Sequence, residues 1–254
     1  MFWFTPKCPI NSEDKDWLED SFLWLVEEFG AESLRKTQMI LPNEDFFPDD
    51  FTGDVSYLKK TLRRVSGFMG VDYEKIEISL FTDEKPPMLH PLAASDSKGS
   101  GTCGLYQKLR SRHLISIEEN LLSNPTNLIA TIAHELAHAR LIGENRLSPD
   151  CEDQELLTDL TTIFFGLGIF TANSLFRFEQ FTNAQYHGWQ TSRQGYIDEE
   201  MAGYFLALFA FAKSETNPVW MQFLDTNVKH YFKKSLKFLE KTGDTKLKDL
   251  AEIN

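Results

Sequence analysis

Two histidines four residues apart, His134 and His138, lie in a stretch marked at both ends as a helix, and this feature restricts the chain's structure most. Asn124 offers a side-chain oxygen to the first free amides, and Pro125 fits the first helical position, where its missing N–H costs nothing. Leu128, Ile129, Ile132, Ala133, Leu136 and Ala137 then recur at helical spacing as far as Ile142, and Gly143 closes the run. Residues four apart stack on one face of a helix, so both imidazoles can reach the same point in space. Glu135 is turned about 100° from His134, which places a carboxylate beside that point rather than on it. The pattern His-Glu-x-x-His has a chance expectation on the order of 0.01 in a chain of this length and composition.

Two imidazoles leave a tetrahedral metal short of a third protein ligand. The next apolar run contains Glu155-Leu156-Leu157-Thr158-Asp159, with both carboxylates on one helical face. Over about residues 115–170 the chain here resembles the gluzincins, zinc peptidases with an HExxH helix followed by a Glu-x-x-x-Asp helix. The resemblance implies zinc (Zn2+) held by His134, His138 and Glu155, with Glu135 as general base and Asp159 hydrogen-bonded to His134. Asp159 remains open as the third ligand itself, in the manner of aspartate-type zincins, as does Glu152, one turn before Glu155. The extended pattern HExxHxxGxxH is absent, since Leu141 stands where it needs glycine. A metzincin is thereby excluded.

A developing oxyanion needs a donor besides the metal. The polar and aromatic segment Tyr186-His187-Gly188-Trp189 through Arg193-Gln194-Gly195-Tyr196 offers His187 and Tyr196. The resemblance further suggests the strand around Leu114–Ile117 as an edge for an extended peptide. Cys103, in a Ser/Gly-rich turn, reads first as a small structural residue, with an inhibitory thiolate on the metal or a redox-sensing thiol as the alternative.

The surroundings of this segment predict an α+β, predominantly helical protein. Trp17, Leu18, Phe22, Leu25, Val26 and Phe29 make an amphipathic helix over 13–29 that stops at Gly30, and a second helix spans about Val55 to Met69. Period-two alternation at Ile76, Ile78 and Leu80 marks a strand, and 103–109 and 112–118 give two more. The expected organisation is an N-terminal helical segment (1–72) and a zincin-like core (73–172) with a short, mostly antiparallel sheet. A helical C-terminal part (173–254) follows, and the three are expected to form one unit around a cleft. A ligand helix is expected over roughly Glu152 to Phe170, with Gly166 and Gly168 inside it.

A net charge of −12 speaks against nucleic acid and anionic membranes as partners, because both are held by Lys and Arg. Cys8, Cys103 and Cys151 have neither paired disulfide spacing nor a Cys-x-x-Cys knuckle, and residues 1–7 show no secretory signal, so a cytoplasmic location is expected. Three functional expectations follow. The first is a zinc metallopeptidase acting on a peptide or protein substrate. The others are a zincin-fold regulatory or binding protein without turnover, and a helical interaction module in which HExxH is fortuitous.

Overall fold

Asp54 and Asn124 begin two helices by accepting backbone amides three residues ahead, Tyr57 N–H at 2.8 Å and Asn127 N–H at 3.1 Å. Such local signals set most element boundaries in the computed structural model, which describes residues 5–82, 103–183 and 197–251. In chain order the elements are α1 (Ser12–Phe29), α2 (Ala31–Lys36), α3 (Val55–Met69), β1 (Ile76–Phe81), β2 (Gly104–Lys108) and β3 (His113–Glu118). Then come α4 (Pro125–His138), α5 (Gln154–Phe164), α6 (Gly168–Asn183), α7 (Glu199–Ala212), α8 (Thr226–Thr242) and α9 (Lys248–Ala251). The class is α+β with helices dominant.

The chain divides into two compact units. One comprises the described parts of Pro42–Thr158 and Phe176–Gly195 and contains the sheet and α4. Its strand order is β1-β3-β2. β3 runs parallel to β1, with Ile78 opposite Ile115, and antiparallel to β2, with Tyr106 opposite Ile115. The sheet is therefore mixed, where a mostly antiparallel one is expected from the sequence. The Leu114–Ile117 strand is also central rather than an edge. Ile115 and Ile117 are fully buried, as is Ser116, whose hydroxyl meets that of Ser79 across the β1–β3 pair at 2.7 Å. A strand paired on both sides has no backbone groups left for a peptide, so β1 and β2 are the edges of the sheet among the described residues. α4 packs on β2 and β3, and α3 packs on α4.

The other unit comprises the described parts of Met1–Leu41, Asp159–Leu175 and Tyr196–Asn254. Its centre is α7, which is apolar around nearly its whole circumference and buried from Met201 to Ala210, as such a helix must be. α8 packs along it with Val228, Phe232, Leu236 and Leu239 inward and Lys233, Lys234 and Lys237 in solvent. α1 contributes Leu18, Phe22 and Leu25, and the Phe22 ring lies 5.2 Å from that of Phe205. Glu19 on α1 is fully buried but not isolated. It accepts the Tyr204 hydroxyl at 2.7 Å and the Lys246 amide at 2.9 Å, and Lys15 Nζ stands 3.3 Å away.

The helix expected to run to Phe170 is interrupted. Phe165–Leu167 break it into α5 and α6, and Gly166 adopts a φ of +85°, which glycine tolerates without a Cβ clash. Its carbonyl accepts Ile40 N–H at 2.8 Å, and a Cβ on it would run into the Gln38 carbonyl oxygen. A side chain is thus excluded twice over.

Candidate metal centre

α4 ends at His138, earlier than the sequence suggests, and Ala139–Gly143 continue as a π-helical turn. Such turns are frequent at functional sites. The α-helical part still carries His134 and His138 one turn apart, with Glu135 beside His134. His134 and His138 present Nε2 atoms 3.2 Å apart. The chain returns through 144–153 to α5, whose first turn brings Glu155 Oε2 to 3.0 Å from His134 Nε2 and 3.6 Å from His138 Nε2.

These three separations test whether the residues suit zinc. Bonds of about 2.0–2.1 Å in a tetrahedral site put neighbouring ligand atoms about 3.3–3.4 Å apart. Separations of 3.0, 3.2 and 3.6 Å bracket that edge length. Two imidazole nitrogens and one carboxylate oxygen are also a donor set suited to zinc, whereas magnesium and calcium prefer oxygen alone. The residues fit the ion. Glu152, the rival one turn earlier, is exposed, and the donor group comprises His134, His138 and Glu155. Asp159 belongs to the other compact unit. It is buried, with a carboxylate oxygen 3.4 Å from Ile197 N–H.

Electrostatics separate the members. Burial holds the His138 imidazole down to about 4, so it is neutral at physiological pH, the form that ligates. Glu155 is less enclosed, with 38% of its side chain accessible. What burial it has favours the neutral acid, but the hydrogen bond and charge of His134 outweigh this and hold it down to about 2. Glu135 behaves oppositely. It is only 4% exposed, and burial pushes its carboxyl up to about 8, with His134 opposing and Glu155 adding to the rise. Its Oε2 is buried without a hydrogen-bond partner among the described residues. Buried acceptors without a protein partner are uncommon, and a water, an ion or a reactant can each satisfy one.

Three further residues of this neighbourhood escape a reading of the sequence. Gly104 at the start of β2 lies directly against Glu135 and Thr131 of α4. Tyr106, also on β2, stacks its ring on His138 at 5.9 Å and 23°, while its hydroxyl meets His113 Nδ1 at 2.9 Å. Thr158, fully buried on α5, places its hydroxyl 3.3 Å from His138 Nδ1. Thr158 alone was traceable in principle, being one turn from Glu155; Gly104 and Tyr106 arrive through strand packing. Cys103 is buried, and burial with the charges of Glu118 and Glu135 pushes its thiol up to about 11. It stays protonated at neutral pH, unlike a reactive sensor thiol. His187 and Tyr196 lie outside the described residues.

All three cysteines are free, and no helix among the described residues is long and apolar enough to cross a membrane. Compared with known proteins, the chain matches no family model, no curated protein and no solved structure.

Proposed function

We propose that the chain is a zinc-dependent hydrolase, a metallopeptidase that cleaves peptide bonds with Glu135 as general base, and that its first unit has a zincin-like core. The observation that carries this reading is the pairing of a zinc-sized donor triangle with a buried carboxylate oxygen that has no partner among the described residues, all supplied by α4 and one turn of α5. His134, His138 and Glu155 would hold the ion and leave its fourth position for water or substrate. The Lewis acidity that zinc supplies when bound brings the pKa of water toward neutrality.

Glu135 Oε2 would receive the proton of the attacking water and return it to the leaving amine. Burial raises its carboxyl in the metal-free chain, and the charge of a bound zinc would lower it again, toward the range in which a general base works. Of the two sheet edges, β2 is the one whose Gly104 touches Glu135, so an extended peptide adding to β2 would lie beside the base. His187 and Tyr196 remain the candidate oxyanion donors.

Metal analysis and a peptide-library digest test the proposal together. One zinc per chain is expected, lost in His134→Ala and Glu155→Ala. Asp159→Ala, the substitution of the proposed second carboxylate, should weaken zinc by about 10–100-fold. Glu135→Gln should keep the metal and abolish cleavage. Protein that takes up no stoichiometric zinc after reconstitution refutes the metal reading. Zinc-loaded protein that cleaves no peptide favours the regulatory, non-hydrolytic alternative.

A further inference from the structure

The hydrogen bonds around His138 determine which of its nitrogens carries hydrogen. The Thr158 hydroxyl lies 2.8 Å from the Gln154 carbonyl oxygen, and a carbonyl only accepts, so the single hydroxyl hydrogen points there. That leaves Thr158 Oγ1 as an acceptor toward His138 Nδ1, 3.3 Å away. A nitrogen facing an acceptor must donate. His138 therefore carries its hydrogen on Nδ1, and its Nε2 lone pair faces Glu155 and His134. The ring plane is held independently, because Tyr106 stacks on it at 23° and is itself tied through its hydroxyl to His113.

We infer that Thr158 is a positioning residue that fixes His138 in the Nδ1–H tautomer before any metal arrives, with Tyr106 holding the ring plane. His138 is in this respect a preset ligand. The inference deepens the proposed zinc site and rests on it for its purpose, but the tautomer is a property of the metal-free chain.

That independence supplies the test. Long-range 1H–15N correlation spectra of the metal-free full chain at neutral pH distinguish the tautomers of each histidine ring. The expected result is His138 as Nδ1–H. Thr158→Val, nearly isosteric, should populate the Nε2–H form of His138, and Thr158→Ser should restore Nδ1–H. Zinc titration should show Thr158→Val weakened by about 10–100-fold and Thr158→Ser near the parent. Tyr106→Phe retains the stacking face and should keep zinc affinity, whereas Tyr106→Leu should reduce it. His138 as Nε2–H in the parent, or a tautomer unchanged by Thr158→Val, overturns the inference whatever the zinc result. The expected His138 tautomer with no zinc uptake would instead sink the metal reading and leave the hydrogen-bond assignment standing.

Discussion

Replacing Gly104 by alanine tests whether Glu135 is held by the sheet rather than by the metal ligands. A Cβ there would lie 2.7 Å from Thr131 Cγ2 and 3.0 Å from Glu135 Cδ, and would press on Glu135 Oε1. Carbon atoms in contact prefer at least about 3.5 Å, so these groups must retreat by about 0.5–0.8 Å. Neither has space to do so freely, because Thr131 and Glu135 are 1% and 4% exposed. Overpacking of this kind costs about 1–3 kcal/mol, which for a chain of this size lowers Tm by roughly 2–10 °C. A misplacement of about 1 Å at a reacting group costs about 100-fold in rate, so a loss of about 10-fold or more in kcat is expected. The donor atoms of His134, His138 and Glu155 are not among the groups nearest this Cβ, so zinc affinity should hold. Thermal unfolding, zinc titration and turnover of a cleaved peptide together read the outcome. Unchanged Tm and turnover would refute the close approach of β2 to Glu135. Zinc loss with turnover per bound metal intact would show that Gly104 supports the ligands instead.

The remaining predictions concern stability. Glu135 has a folded pKa of about 8 against 4.5 for the free group. The folded chain therefore binds this proton more tightly than the unfolded one, and stability falls as pH rises from about 4.5 to 8. Glu135→Gln should raise the metal-free Tm more at pH 8 than at pH 5, and an equal shift at both would contradict the buried ionisable carboxyl. Tyr204→Phe removes the donor to buried Glu19 Oε1 and should cost about 1–3 kcal/mol in urea unfolding; a cost near zero would mean that Lys15 and the Lys246 amide suffice. Gly166→Ala combines a left-handed φ with a collision against Gln38, and a loss of about 2–4 kcal/mol is expected. A midpoint within error of the parent would argue against the tight turn between α5 and α6.

Part of the site is legible in the sequence because purely local physics fixes it. The Asn124–Pro125 cap and the i, i+4 rule already align His134 with His138, because a helix sets that relation whatever surrounds it. The strands β1, β2 and β3 fall close to the three segments whose patterning suggests them, and α3 ends at the glycine that follows its last apolar residue. Their arrangement is another matter. Alternation says which residues share a face, but whether a neighbour lies parallel, antiparallel or on both sides depends on contacts distant in sequence, and β3 became central through such contacts. The turn at Gly166 likewise involves a neighbour: the Gln38 carbonyl leaves no space for a side chain there.

The same division runs through the surroundings of His134 and His138. The sequence by itself determined two imidazoles on one face, a carboxylate beside them and a short menu of third ligands. Tertiary structure decided that Glu155 joins the imidazoles while Glu152 faces solvent, since only the return of the chain through 144–153 sets the register of α5 against α4. It also decided that Thr158 and Tyr106 flank His138 and that Glu135 is enclosed against Gly104, relations that arise from packing between segments and have no local signature.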